Sequence, residues 1–321
     1  EIPYGYEKVK EVLRDDVYYT IYENQNVLPL GYCYDKVLSW ENMEKLDTAQ
    51  RQEAMLQAAV VENETVQDQN YMMDTSELTI SGQKVPIQRI ECSDGVTFDG
   101  KEIQVKKKNA EMTIWFDGLD DSETYINLES LSMKNASKVW FYFDADEGSY
   151  DISYYYHGDY NTYATGQEDY LFNLGYAEKG KTYCTIRFAK KCTMTVDDIS
   201  VYCQPMEKLT EYVQQRKAVS LENVTEEMKS VSGTIDTEKD QLLVLSIPYQ
   251  NGWSAYVDGE KVPIRKVNIM YMGLDLKAGT HTVELHYEMP GIRISIVISV
   301  VSFGIFVAAL MIRRKKRHEE K

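Results

Sequence analysis

Ile294-Ser295-Ile296-Val297-Ile298-Ser299-Val300-Val301-Ser302-Phe303-Gly304-Ile305-Phe306-Val307-Ala308-Ala309-Leu310-Met311-Ile312 runs for nineteen residues without a charge, and Arg313-Arg314-Lys315-Lys316-Arg317 closes it. At ~1.5 Å rise per residue, such a helix spans roughly 28 Å, close to the hydrocarbon thickness of a bilayer. A buried core helix is rarely apolar all round and then capped by five consecutive bases. The stretch therefore predicts a transmembrane helix over 292–312. Short basic flanks stay on the cytoplasmic side, so the tail 313–321 is expected in the cytoplasm and everything before Pro290 outside it. Ser295, Ser299 and Ser302 repeat at spacings of four and three, which suits packing against another membrane helix.

Working outward, the rest of the 321 residues has room for about two soluble domains. The tail from Arg313 carries +4 of a formal net charge of −16, leaving −20 on the remainder. That balance argues against nucleic acid as a partner. The chain begins at Glu1. An exported domain needs a route across the membrane, which implies either a removed signal sequence or missing transmembrane helices. The five cysteines, Cys33, Cys92, Cys184, Cys192 and Cys203, form no dense framework and show no zinc spacing. Cys184 and Cys192 flank a turn at Lys190-Lys191, so a cross-strand pair and two buried free thiols both remain open. Twenty-five tyrosines against eight phenylalanines suit a β-rich fold with polar-tipped faces.

The predicted architecture is mainly β with a small N-terminal α/β portion. Residues 1–75 form that portion. It has strand-like runs at Tyr18–Tyr22 and Val27–Tyr34, then a helix capped by Asp47 or Thr48 with Glu53 near its first turn. Residues 76–206 alternate short strands with breakers such as Asp99-Gly100, Asp117-Gly118 and Lys179-Gly180, the pattern of a jelly-roll β-sandwich. Strands are expected at 85–91, 102–105, 111–116, 124–131, 138–144, 151–156, 170–175, 182–188 and 193–202. Residues 207–229 read as a helical linker rich in Glu. Residues 230–290 form a second, small β domain, with a type I′ hairpin at Asp258-Gly259 and another turning at Ala278-Gly279.

Motifs for chemistry are sparse. No GxSxG, HExxH, P-loop or GxGxxG occurs. His281 and His286 sit at odd spacing in one strand and face opposite sides. His157 follows Tyr154-Tyr155-Tyr156 and precedes Gly158-Asp159, in an expected loop. Asp144, Asp146 and Glu147 lie close enough to hold Ca²⁺ but lack the EF-hand register. Asp197-Asp198, in a late strand, looks like the closing strand of carbohydrate-binding jelly rolls. Trp115, Tyr155, Tyr156, His157 and Trp253 are the candidate carbohydrate contacts, while Trp140, inside Val139–Phe143, is expected in the core. Asn63, Asn135 and Asn223 open N-x-S/T triplets, which matter only in a eukaryotic secretory context. No residue is expected to be catalytic, and no metal or cofactor is expected in this region.

Two stretches together carry a resemblance. One is Val17-Tyr18-Tyr19-Thr20-Ile21-Tyr22-Glu23-Asn24-Gln25-Asn26-Val27-Leu28-Pro29-Leu30-Gly31-Tyr32, with Arg51-Gln52-Glu53-Ala54 downstream. The other is Ile247-Pro248-Tyr249-Gln250-Asn251-Gly252-Trp253-Ser254-Ala255-Tyr256-Val257-Asp258-Gly259, then Ala278–Leu285, Tyr287 and Pro290-Gly291 before the last helix. Across nearly the whole chain this order resembles the C-terminal part of a bacterial YfhO-family membrane protein. The resemblance implies a glycosyltransferase of the GT-C type, with many N-terminal membrane helices missing here. It also implies a lipid-phosphate-linked sugar donor and a cell-envelope glycopolymer as acceptor. The acidic catalytic residues of that class lie in the missing part, so none is assigned to this chain. The different-class alternative is a single-pass surface protein whose sandwich binds carbohydrate or a protein partner.

Overall fold

Alternation of apolar and polar residues, period two, governs most of the chain. In Ala110–Phe116 the side chains of Ala110, Met112, Ile114 and Phe116 are buried and those between them are not. Tyr183–Phe188 repeats this with Cys184, Ile186 and Phe188. The computed structural model of the chain describes residues 2–62, 72–133, 138–146, 152–157 and 166–319. Asn63, Asn135, Glu147, Asp151 and Gly158-Asp159 lie outside those residues. The chain divides into two compact units, one of Glu1–Pro29 with Tyr34–Ala218 and one of Leu30–Cys33 with Val219–Lys321.

The first unit opens on an antiparallel hairpin, Tyr6–Arg14 with Val17–Asn24. A small α/β element follows. Strand Val37–Ser39 runs parallel to Ala59–Val61, with helices Trp40–Glu44 and Thr48–Gln57 between them. Leu38, Met43, Ala54, Ala58 and Val60 form its core. Asp47 is the N-cap: its carboxylate accepts from Gln50 N at 2.8 Å, and the Gln50 side chain accepts from Asp47 N at 3.2 Å.

The sandwich is built from three antiparallel sheets. The largest orders Ile152–His157, Lys138–Ala145, Tyr183–Phe188, Ala110–Phe116 and Ile87–Cys92. The second orders Tyr170–Ala177, Ser122–Glu129, Asp198–Pro205 and Gln83–Val85. The third orders Ser132–Met133, Cys192–Thr195, Glu102–Val105 and Val96–Phe98. Consecutive strands repeatedly leave one sheet for another, as in a jelly roll. Phe143 of the first sheet meets Phe172 of the second at 4.4 Å between centroids. Each fully buried side chain of this size contributes about 1.5–3 kcal/mol of transfer free energy.

Several sequence expectations change here. The strand expected over 85–91 breaks at Pro86, which has no N–H for a ladder. The strand expected over 193–202 is two strands in different sheets, and Asp197 N donates to Glu129 O at the corner between them. Cys184 and Cys192 also lie in different sheets, and all five cysteines are free thiols, Cys92 alone being exposed. Burial pushes the Cys192 thiol up to about 12. The Glu-rich segment expected as linker forms the strand Glu222–Glu227, every residue of it exposed at a sheet edge, where charge guards against further pairing.

The second unit pairs Glu222–Glu227, Ser230–Thr237, Gly279–Tyr287, Trp253–Val257 and Glu260–Val262 in one antiparallel sheet. Against it pack residues of Gln241–Pro248 and Tyr271–Leu276, with Leu243, Leu245, Ala255, Leu274 and Leu285 in the core. Asp258 (φ 53°) and Gly259 (φ 81°) make the expected I′ turn. The expected hairpin around Ala278-Gly279 is instead a corner between two sheets. Ala278 N donates to Asp240, and the Thr237 hydroxyl donates to Lys277 O, which together turn the chain away. Helix Ile292–Glu319 ends the unit, with an apolar window over Ile292–Arg313 of 22 residues and none of it buried.

His281 Nδ1 lies 2.7 Å from Asp258 Oδ2, bracing the I′ turn. That hydrogen bond, more than any other influence, raises the imidazole above its ordinary 6.5 and lowers the Asp258 carboxyl. The histidine's contribution is complete below about pH 6.5 and is lost as pH rises through its raised folded value. The aspartate's is lost as pH falls through its lowered one. Thermal melts should therefore show stability falling from pH 6 to pH 8 and a smaller fall in His281→Asn. Equal slopes in the two proteins would remove the pair from the account.

Candidate functional site

The outward face of the five-stranded sheet gathers the chemistry. Odd and even positions of Lys138–Ala145 split cleanly: Val139, Phe141, Phe143 and Ala145 are buried, so Trp140, Tyr142 and Asp144 face out. Trp140 is 39% exposed, which corrects the expectation that it lies in the core. Its neighbours Val139 and Phe141 take the inner face, and the pleat leaves the indole only the outer one.

Strand register lines up the neighbours. Trp140 is opposite Tyr155, Tyr142 is opposite Ser153 and Arg187, and Asp144 is opposite Thr185. Arg187 is in turn opposite Glu111, and Trp115 stands between Tyr183 and Arg89. The rings form a platform: Trp140 to Tyr155 is 4.6 Å, Trp140 to Tyr142 is 6.3 Å at 22°, and Tyr155 to His157 is 4.9 Å edge-on. The Arg187 guanidinium lies 4.4 Å above the Tyr142 ring, and Arg89 the same distance above Trp115. Trp115 Nε1 donates to Glu91 at 3.0 Å, and Arg89 Nε donates to the same carboxylate at 2.7 Å. Those two donors hold the Glu91 carboxyl below its usual range, the arginine most. Burial, then Asp144 and Asp146, pushes the Tyr183 phenol up.

Between the two aromatic ends lies a shallow depression of about 700 Å³. It is lined by Glu111, Tyr142, Phe143, Asp144, Ser153, Tyr183, Thr185 and Arg187. Thr185 of this lining shares a hydroxyl hydrogen bond of 2.9 Å with Thr113 on the neighbouring strand. Ring faces, carboxylate acceptors, hydroxyls and one guanidinium thus surround one groove. This set matches a polyhydroxylated ring, whose C–H faces stack on aromatics and whose hydroxyls donate to carboxylates.

Of the five candidate contacts named from sequence, Trp115, Tyr155 and His157 fall on this face, and His157 belongs to the strand rather than to a loop. Tyr156 does not share the face. It is 2% exposed, stacks on Phe141 at 6.1 Å and donates its hydroxyl to Leu131 O at 3.2 Å, because adjacent strand residues point to opposite sides. Trp253 lies in the second unit, 5.2 Å from Tyr287, and its indole N–H is buried with no hydrogen-bond partner among the described residues. Tyr142, Arg187 and Tyr183 were missed. The alternation of Tyr183–Phe188 was the available signal for Tyr183 and Arg187, whereas Val139–Phe143 is apolar or aromatic throughout and marks no face for Tyr142. Among the described residues no group of three His, Cys, Asp or Glu side chains is arranged to hold a metal ion. Asp146 instead accepts from Thr182 N.

A family described as "Bacterial membrane protein YfhO" matches residues 2–299. "Uncharacterized protein YfhO" of Bacillus subtilis (strain 168) is 23% identical over 333 aligned residues, 98% of this chain, which spans about a third (34%) of that protein's length. Among solved structures, the C-terminal CBM6 of LamC, a marine laminarinase from Zobellia galactanivorans, aligns with 38% of this chain and 98% of its own (7% identity, TM-score 0.26). A structure described as "CBM4 structure and function" aligns with 36% of this chain and 78% of its own (15% identity, TM-score 0.25). The BiXyn10A CBM1 in apo form covers 40% and 94% (13% identity, TM-score 0.24). The β-sandwich itself stands on the strand pairings described above.

Proposed function

Because the chain belongs to the YfhO family of bacterial membrane proteins, we propose that it is the extracytoplasmic C-terminal region of a polytopic, glycosyltransferase-like membrane protein. In this reading the sandwich holds a sugar of the cell-envelope acceptor polymer, and the remaining two-thirds of the protein carries the transfer chemistry with a lipid-phosphate-linked donor. The observation that carries the reading is the outward platform of Trp140, Tyr142 and Tyr155 beside Arg187, Asp144 and Glu111. Aromatic faces and carboxylates arranged around an open groove suit a chain of sugar rings better than a small apolar ligand, which needs enclosure. The apolar helix Ile292–Glu319 supports tethering of the region at the membrane, and the basic residues that follow Ile312 support a cytoplasmic tail.

Calorimetric titration of the detergent-solubilised full-length protein with an envelope glycopolymer tests the reading. Saturable heat, competed by the polymer's free sugar, is the expected result. No heat from the polymer or from free sugars would overturn the positioning role. Competition by a bare polyphosphate would move the recognition from sugar to phosphate.

A further inference from the structure

The hairpin Tyr6–Arg14/Val17–Asn24 stands apart from the packing rules that govern the rest of the first unit. From Tyr6 through Glu23 every residue is exposed. Leu13 is 55% exposed, Tyr18 73% and Tyr19 53%. The register places Val12, Val17, Tyr19 and Ile21 on one face and Tyr6, Leu13, Tyr18 and Tyr22 on the other. Each face thus carries exposed apolar and aromatic side chains among charged ones, Lys10 and Arg14 on the first and the Lys8–Glu11 pair on the second, and neither touches a core. Its base is anchored: Gln25 N donates to Gly5 O at 2.8 Å, and Lys217 Nζ donates to Gln25 O at 2.9 Å. Its tip, Asp15-Asp16, turns with φ of 50° and 61°, the I′ geometry that holds two strands in register.

A lone two-stranded hairpin is at best marginally stable in water, and exposed apolar patches mark contact surfaces. Two faces that each expose several apolar side chains call for a cleft that grips both. A flat bilayer surface covers one face and leaves the other in water. About two-thirds of the related full-length protein lies outside the region this chain matches, and the family is one of membrane proteins. We propose that the hairpin is a clamp, inserted into a cleft of the membrane-embedded part of the same full-length polypeptide. This rests on the polytopic reading given above.

The test places photoreactive benzoylphenylalanine at Leu13, Tyr18 or Tyr19 of the full-length protein in native membranes, with Met228, 97% exposed in the second unit, as the reference position. Irradiation should give products of unchanged chain count, with cross-linked peptides outside the region matched here and yields at least tenfold above the reference. A dimer band, lipid adducts alone, or yields equal to the reference would overturn the clamp. Reporter fusions along the full-length protein test the polytopic reading separately. If they find no further membrane spans, that reading fails; cross-links to a soluble segment would then overturn the membrane-embedded partner as well. Spans without cross-links would overturn the clamp alone.

Discussion

Glu53→Ala should lower the stability of the chain by about 4 kcal/mol, close to 10 °C in thermal midpoint. Glu53 is only 3% exposed on helix Thr48–Gln57. Its carboxylate accepts from Ser81 N at 3.0 and 2.9 Å, from the Ser81 hydroxyl at 2.5 Å and from Gly82 N at 3.1 Å. One side chain therefore ties the α/β element to the stretch leading into Gln83–Val85, the edge strand of the second sandwich sheet. Alanine leaves three donors without an acceptor where water has little access, at about 1–3 kcal/mol for each buried group left unsatisfied. Packing around the site is tight: a Cβ on Gly82 would lie 2.5 Å from both the Tyr202 hydroxyl and the Gln204 side-chain oxygen. Glu53→Gln keeps one acceptor oxygen but turns an amide N–H₂ toward N–H donors, so it should fall between wild type and alanine. Scanning calorimetry of the three proteins checks the order. A shift under about 2 °C for alanine would mean that the loop finds its hydrogen bonds elsewhere.

This residue also marks where reading the sequence stops. Asp47 as a cap was legible because capping is local: a carboxylate and the residue three positions on suffice. Glu53 was legible only as a residue near the first turn of that helix, since its partners are 28 and 29 positions away and no local pattern points to them. The same boundary divides the strands. Ala110–Phe116 and Tyr183–Phe188 were visible within about a residue from their alternation alone. Whether two neighbouring strands share a sheet depends on turns and corners, so the chain around Asp197 and around Ala278-Gly279 was placed in the wrong partnerships. For the site, parity within a strand was legible and register between strands was not. Trp115 and Tyr155 were named as separate candidate contacts. Arg187 came onto the face only through its pairing with Tyr142, which is 45 residues away in the chain. Trp140 was misplaced because five consecutive apolar or aromatic residues hide the period of two. Only the burial of Val139, Phe141 and Phe143 shows which parity faces in.

Trp140→Ala with Tyr142→Ala should weaken binding of an envelope glycopolymer by about 100-fold, roughly 2.7 kcal/mol, with the melting temperature within a few degrees of wild type. The two rings lie 6.3 Å apart and 22° from coplanar, so they offer one extended surface for stacked sugar rings. Both point away from the core, and their loss opens no cavity. Removing Tyr142 also frees the guanidinium of Arg187 from its seat 4.4 Å above the ring, so single substitutions should be less than additive with Arg187→Ala. Tyr156→Phe is the matched control: it deletes the hydroxyl that donates to Leu131 O in the core and leaves the face intact. It should cost stability and leave affinity unchanged. Titration calorimetry and melting curves on the same preparations separate the outcomes. If the double variant binds within about twofold of wild type, the platform is only the solvated side of a sandwich and the glycan is held elsewhere. If Tyr156→Phe weakens binding as much as the double variant does, the effect travels through the core rather than through the rings. The parity of one strand, Lys138–Ala145, then sets the expectation in both directions: odd-numbered positions hold the sandwich together, and even-numbered ones meet the ligand.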